Sequence, residues 1–432
     1  MLETEKLLKL SYYKLGLNFA EELDQNDPLK HYRNLFHIPK DKNGNELIYM
    51  TGNSLGLQPK QTKLYVNQEL EDWANLGVEG HTDAKHPWLA YHEYLTESMA
   101  KVVGAKPIEV VVMNTLTANL HFMMVSFYKP TSKRYKILIE ADAFPSDKYA
   151  VESQLRHHGY DDKEGLLLWK SRSGEELVNY EDLEAILEVH GHEIALIMIG
   201  GVNYYTGQFF DLKRITQLGH KNGCIVGFDC AHGAGNVTLN LHETGADFAV
   251  WCTYKYLNSG PGSLAGCFVH ERHAYNKNLN RFTGWWSHNK LTRFNMRDEF
   301  DQLPGAEGWQ LSNPPILSMA AIRASLDIFN EVGMEKLIEK SKMLTGYFEF
   351  LLRQLGEKTI KIITPNNPNQ RGCQLSIQVK NANKSLHHKL TDAGVISDWR
   401  EPDVIRCAPV PLYNSYKDVY LLVERLKVII NE

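Results

Sequence analysis

The run Cys224-Ile225-Val226-Gly227-Phe228-Asp229, followed by Asp247-Phe248-Ala249-Val250-Trp251-Cys252 and then Thr253-Tyr254-Lys255-Tyr256, decides the fold. Both apolar runs read as buried strands; an acid closes the first and a lysine follows the second. Runs of the same kind stand upstream at Glu109-Val110-Val111-Val112-Met113, Tyr135-Lys136-Ile137-Leu138-Ile139, Leu166-Leu167-Leu168-Trp169 and Ile194-Ala195-Leu196-Ile197-Met198-Ile199, and one more covers 263–269. Longer amphipathic stretches separate them, with helical spacing over 118–128 and 148–157. Strands alternating with helices of this length predict an α/β fold whose mostly parallel sheet is covered on both faces.

The tail reads differently. Long helices over 316–329 and 334–355 lead into strands at 374–379, 395–399 and 404–407, and an amphipathic helix covers 416–430. This predicts a smaller α+β domain entered at Pro314-Pro315. The first 45 residues hold one amphipathic helix and a polar turn at Asp41-Lys42-Asn43-Gly44-Asn45. The expected division is an N-terminal segment, 1–45, packed on the small domain; a large α/β domain, 46–313; and a small α+β domain, 314–432.

At 432 residues, 43% of them hydrophobic, the chain can bury more than one average domain's core. A net charge of −5 without a basic stripe argues against a nucleic-acid partner. Met1-Leu2-Glu3-Thr4-Glu5-Lys6 lacks the layout of a secretory signal, and no apolar stretch reaches membrane-spanning length. Cys224, Cys230, Cys252, Cys267, Cys373 and Cys407 form no CxxC pair and fall in or beside strand-like runs, as reduced core thiols do. The expectation is a cytoplasmic enzyme with a small-molecule substrate and no membrane partner.

A carboxylate (Asp229) and an amine (Lys255) at the ends of two nearby buried strands suit a pyridoxal phosphate site. The amine would form the imine and the acid would hold the ring nitrogen protonated. A structural ion pair at a sheet edge explains the same residues. His232, three residues beyond Asp229, either shares that cleft or sits hydrogen-bonded in the Gly233-Ala234-Gly235 turn. Asn114-Thr115-Leu116-Thr117 lies between strand and helix, where free N–H groups and hydroxyls make an anion site, although Thr117 also reads as a plain helix cap. Phe144-Pro145-Ser146-Asp147 opens the next helix; Phe144 could stack on a pyridine ring and Ser146 reach a phosphate, or the stretch is simply a helix start. Gly260-Pro261-Gly262 with Gly266 opens no helix and is not a dinucleotide fingerprint. His81, His86 and His92 match no metal-ligand geometry, so no metal is expected. Gly52-Asn53-Ser54-Leu55-Gly56 has the form of a nucleophile elbow but no triad order supports it.

Longer stretches are more specific: Gly52-Asn53-Ser54-Leu55-Gly56-Leu57-Gln58-Pro59-Lys60, Phe144-Pro145-Ser146-Asp147, Tyr204-Tyr205-Thr206-Gly207-Gln208, Thr253-Tyr254-Lys255-Tyr256-Leu257-Asn258, Ser312-Asn313-Pro314-Pro315-Ile316, Arg371-Gly372-Cys373-Gln374-Leu375 and Ala408-Pro409-Val410-Pro411-Leu412-Tyr413-Asn414-Ser415. On these the chain resembles kynureninase over nearly its whole length, a fold-type-I pyridoxal phosphate enzyme of the class V aminotransferase-like group. The resemblance implies Lys255 as the Schiff-base lysine, with Tyr254 and Asp229 as its catalytic companions. It places Leu116, Thr117, Phe144, Pro145, Ser146, Asp147, Gly200, Asp229, His232, Tyr254, Trp285 and Asn313 around the cofactor. Ser54, His81, Asn313 and Arg406 fall on substrate positions, with Arg406 gripping the α-carboxylate. Gly200 departs from the animal pattern, in which a serine touches the cofactor.

The implied reaction is hydrolytic Cβ–Cγ cleavage of L-kynurenine or 3-hydroxy-L-kynurenine to anthranilate or 3-hydroxyanthranilate plus L-alanine, in tryptophan breakdown or NAD synthesis. His81 and Asn313 imply a preference for the 3-hydroxy substrate, and the family implies a homodimer. A cysteine desulfurase or selenocysteine lyase would need a mobile nucleophilic cysteine, and Cys373 opens an apolar strand. A cofactor-binding regulator on a dead fold is the non-enzymatic alternative.

Overall fold

The apolar runs pair into one seven-stranded sheet in the computed structural model, which describes residues 10–431. Across it the strands lie in the order Val110–Met113, Ala265–Val269, Phe248–Trp251, Ile225–Asp229, Ile194–Gly200, Lys136–Glu140 and Leu166–Trp169. Only Ala265–Val269 runs against its neighbours; the other pairings are parallel. Alternate side chains enter two separate cores. Leu138, Ile197, Ile199, Val226 and Phe228 face one, and Ile137, Ile139, Leu196, Met198 and Val250 face the other. A sheet buried on both faces needs apolar residues at every position, which explains the unbroken runs.

A second sheet, fully antiparallel, orders Asp398–Arg400, Val404–Cys407, Leu375–Val379 and Ile360–Ile362. The run at 395–399, expected as one strand, divides. Val395–Ile396 pairs in parallel with Ile48–Tyr49, and Asp398–Arg400 joins the four-stranded sheet, so the chain changes sheets at buried Ser397. The strand Ile360–Ile362 and the helix Lys384–Asp392 were not anticipated. Met334–Arg353 and Tyr416–Asn431 cover this sheet. The helix Ile316–Val332 instead buries Met319, Ile322 and Leu326 in a core of the large sheet.

The N-terminal helix Leu17–Asn26 places Phe19 and Ala20 in the core that Tyr347 and Leu375 share. Asp24 accepts the first backbone N–H groups of the last helix, from Tyr416 at 2.7 Å and Lys417 at 3.0 Å, which satisfies donors a helix start leaves free. Asp27 pairs with the buried Lys340 at 2.7 Å. The absence of a secretory layout at Met1 to Lys6 concerns residues outside the described ones. Among the described residues no helix is long and apolar enough to cross a membrane.

Two glycines let aromatic rings lie across the large sheet. Gly227 stands opposite Phe248 and Gly266 opposite Trp251, and a Cβ on either would overlap the facing ring. Gly266→Ala should therefore lower stability by about 1–3 kcal/mol through overpacking, read as a lower urea midpoint with unchanged slope.

Candidate active site

Parallel strands present their C-terminal ends at one edge, where ligands of α/β proteins sit. Here Glu140, Gly200 and Asp229 end three adjacent strands, and the segment after Phe248–Trp251 carries Tyr254 and Lys255. These five line one cavity together with Leu116, Thr117, Phe144, Ser146, Asp147 and His232. Larger surface clefts, one of about 850 Å³ beside Gly260 and Leu317 and one of about 700 Å³ beside Arg323 and Tyr94, gather no comparable set.

Asp229 is 7% exposed and accepts the Ala231 N–H at 2.7 Å. Burial raises its pKa, and the Lys255 ammonium pulls it back. Asp147, 4% exposed, is raised well above the carboxylate range by burial and by the charge of Asp229. Two adjacent buried carboxyls cannot both ionise cheaply; Asp147 keeps the proton and Asp229 the charge. His232 is held far below its ordinary value, first by burial and then by Lys255, Arg406 and Arg400, so its ring is neutral. Burial raises the Tyr254 phenol, which stays protonated.

Phosphate chemistry is met on the other side of the cavity. Asn114, in the left-handed region at φ 48°, turns the chain from strand to helix. The helices Leu116–Phe127 and Pro145–His157 then begin side by side, and their first-turn hydroxyls, Thr117 Oγ1 and Ser146 Oγ, lie 3.0 Å apart. Two helix starts with paired hydroxyls suit a dianion. Phe144 is half-exposed, with Lys255 Nζ 5.9 Å from its ring centroid.

A structural ion pair would leave nothing unsatisfied, yet His232 Nδ1 and Asp147 Oδ1 are buried without a partner. An acid for a ring nitrogen, an amine for an aldehyde, a flat aromatic face and an anion cradle fit pyridoxal phosphate. The arginine expected on the substrate side adjoins this cavity. Arg406, 1% exposed, donates from Nη1 to the Tyr204 carbonyl at 2.6 Å, and Tyr204 lines the cavity. Its Nη2 donates to Asp398 and, at 3.4 Å, to Ser54 Oγ.

Pro145, exposed at its helix start, is outside the cavity lining, and three expected residues stand farther apart. His81 Nδ1 meets the Val78 carbonyl at 2.9 Å and its ring abuts Trp88; Trp285 is 43% exposed with its indole on the Arg293 carbonyl; Asn313 is exposed. None of the three lines the cavity. At Gly200 the N–H donates to Glu140 at 3.1 Å, and a Cβ would come within 2.7 Å of that carboxyl. Glu140 was missed, although it closes its apolar run just as Asp229 does. Asp398 and Arg400 were missed too, because nothing local marks them.

Fold and cavity together define a fold-type-I pyridoxal phosphate enzyme. Similar solved structures include a cysteine desulfurase from Thermococcus onnurineus NA1, with TM-score 0.74 and 15% identity over 95% of this chain and 98% of that one. The cystine C–S lyase C-DES, in complex with its product cysteine persulfide, gives TM-score 0.75 and 16% identity over 88% of this chain and 97% of that one. Such low identities speak for the fold alone. A family model described as the kynureninase C-terminal domain matches residues 337–426. Kynureninase from Myxococcus xanthus is 59% identical over 410 residues, 95% of this chain and 96% of the relative. That from Koribacter versatilis is 55% identical over 414 residues, 96% of this chain and 98% of the relative. The chain belongs to the kynureninase family.

Glu140 offers a test of the buried acids. Burial first, opposed by the Gly200 N–H and aided by Asp229, pushes its carboxyl from 4.5 up to about 7. The folded state thus holds this proton more tightly than the unfolded chain. The resulting stability is complete below pH 4.5 and is lost as pH rises to about 7. Glu140→Gln should flatten this fall, by at most about 3 kcal/mol at roughly 1.4 kcal/mol per unit, in denaturant titrations of variant and parent at pH 4.5 and 8.

Proposed function

We propose that the chain cleaves the Cβ–Cγ bond of L-kynurenine and 3-hydroxy-L-kynurenine hydrolytically, giving L-alanine with anthranilate or 3-hydroxyanthranilate, and that it prefers the 3-hydroxy substrate. The observation that carries this reading is the convergence of Lys255 and Asp229 on one cavity beside Arg406. Bound pyridoxal phosphate supplies an electron sink for charge developing at the substrate's Cα. Lys255 would hold the cofactor through Nζ, and as a free amine it would take the substrate's α-proton. Asp229 keeps a proton on the ring nitrogen, and Asp147 beside it stays neutral. Thr117, Ser146 and the backbone N–H groups of Leu116 and Ser146 at the two helix starts bind the phosphate, while Phe144 and the neutral His232 bound the ring. Arg406 orients the α-carboxylate with paired N–H donors, a geometry lysine lacks. Water adds to the γ-carbonyl; as the Cβ–Cγ bond breaks, the Tyr254 phenol gives its proton to Cβ of the departing alanine portion and takes up the O–H proton the gem-diol loses, and Lys255 returns its proton to Cα.

His81 Nδ1 donates to the Val78 carbonyl, which in a neutral ring leaves Nε2 as an acceptor for a ring hydroxyl. With Asn313 it forms the polar set behind the 3-hydroxy preference. Trp285 and Asn313, exposed on a single chain, serve the site from across the interface of a homodimer. We read the chain as a cytoplasmic enzyme of tryptophan catabolism or NAD biosynthesis, divided at 1–45, 46–313 and 314–432.

Purified Lys255→Ala should show no cofactor imine absorbance and essentially no turnover; substantial turnover would refute the assignment. For the parent enzyme, kcat/KM should favour 3-hydroxykynurenine over kynurenine by roughly tenfold or more, as a hydroxyl-binding site discriminates. A clear preference for kynurenine would refute the roles of His81 and Asn313.

A further inference from the structure

The guanidinium assigned to the substrate already holds a carboxylate of this chain. Arg406 Nη2 donates to Asp398 Oδ2, and the same oxygen accepts from Ser54 Oγ at 2.6 Å and from Arg400 Nη2 at 3.1 Å. Sheet register enforces the meeting: Asp398 stands directly opposite Arg406 on the neighbouring antiparallel strand, and Arg400, two residues on, shares their face. Two of the three donors on that oxygen, Ser54 and Arg406, are residues the family resemblance places at the substrate. The arginines differ in situation. Arg406 is 1% exposed, whereas the Arg400 side chain is 36% exposed and its hydrogen bond to Asp398 is at the outer side of the cluster.

The geometry points to Asp398 as an internal stand-in for the substrate's α-carboxylate, which yields Arg406 to the incoming amino acid and remains paired with Arg400. The inference rests on Arg406 being the carboxylate-binding residue. Two carboxylates cannot share Nη2 of one buried guanidinium without mutual repulsion, so the substrate must compete with Asp398 for it. Burial opposes ionisation of Asp398, but Arg406, Ser54 and Arg400 outweigh it and hold its carboxyl below the ordinary range, so the competitor is charged throughout neutral pH. In the unliganded enzyme the same pair keeps Arg406 oriented and compensates its buried charge. Asp398 is thus a positioning residue that sets how tightly an α-carboxylate binds, and Arg400 is the partner that makes its release affordable.

The test is made on holoenzyme with two variants of opposite expected sign. Asp398→Asn removes the competitor and should lower both the KM for kynurenine and the Kd of a non-cleavable carboxylate analogue, read from cofactor absorbance, by roughly tenfold. Arg400→Gln removes the relocation partner and should raise both by a similar factor. In each, kcat should change less than KM. An analogue with a primary amide in place of the carboxylate should show neither shift. Weaker binding in Asp398→Asn, or shifts of the same sign in both variants, overturns the inference, since a merely structural cluster would lose affinity either way. If Asp398→Asn does not fold, Arg400→Gln alone decides, and an unchanged Kd there overturns it. Arg406→Lys separates the two readings: should it leave the carboxylate analogue's Kd unchanged, the assignment of Arg406 fails; if it weakens binding while the opposite-sign pattern is missing, only the role of Asp398 fails.

Discussion

A carboxylate buried at the end of an apolar strand is tolerable only where donors or positive charge meet it, and the architecture around Asp229 is built to meet that condition. Its own chain turns back to give the Ala231 N–H, and Lys255, arriving from the next strand in the sheet, supplies the cation. Two more buried carboxyls, Glu140 and Asp147, crowd the same edge. Burial, and then the charge of Asp229, pushes both of these upward in pKa, while Lys255 pulls Asp229, itself raised by burial, back down so that it carries the charge. A protonated ring nitrogen held at Asp229, as proposed above, would add the second positive charge the cluster lacks, and acid strength in this cavity and affinity for the ring would then be one property.

The two ends of the proposed site belong to different sheets, and one short loop ties them. Lys255 follows a strand of the large sheet, while Arg406 and Asp398 lie on the small one. Gly52 to Gly56 bridges the two. Gly56 donates to the Tyr254 carbonyl at 2.8 Å, and a Cβ there would overlap the Lys255 backbone. Two residues earlier Ser54 donates to Asp398. Before it, Ile48–Tyr49 pairs with Val395–Ile396. The stretch that resembled a nucleophile elbow is thus a spacer that must approach backbone closely at one end and deliver a hydroxyl at the other.

The large sheet was legible because burial on both faces writes itself as unbroken apolar runs, and Asp229 and Lys255 stood out because charge at the end of such a run has a cost that demands a reason. Glu140 carries the same signature but falls one residue past the run as it was read, at Ile139. Helix starts were placed late, at 118 and 148 rather than Leu116 and Pro145, because first-turn residues such as Thr117 and Ser146 are polar and carry no part of the apolar stripe. The small sheet was less legible. A continuous stretch at 395–399 hides a change of partner at Ser397, and Lys384–Asp392 is too polar to stand out. Contacts such as Asp24 with Tyr416, or Asp398 with Ser54, join residues hundreds of positions apart and leave no local trace.

Likeness to cysteine desulfurases raises the question of whether sulfur chemistry could run on this frame. That chemistry needs a thiolate that can reach the substrate. All six cysteines of the chain are buried. Burial pushes the Cys373 thiol, the one in a conspicuous motif, up to about 12, against the weaker pull of Tyr256. Cys373 is also pinned: its N–H donates to Asn236 at 2.9 Å, and the strand that starts two residues later, Leu375–Val379, is paired on both sides. Cys252 and Cys230, nearer the cavity, are raised by burial as well. What stands around Arg406 instead is a cluster of two arginines, one aspartate and a serine. In the function proposed above, such a cluster would sort ligands by their carboxylate and leave the bond to be broken to Lys255, Tyr254 and water. On that reading the shared frame fixes where a ring can be held, and the small-sheet side chains decide which amino acid is brought to it.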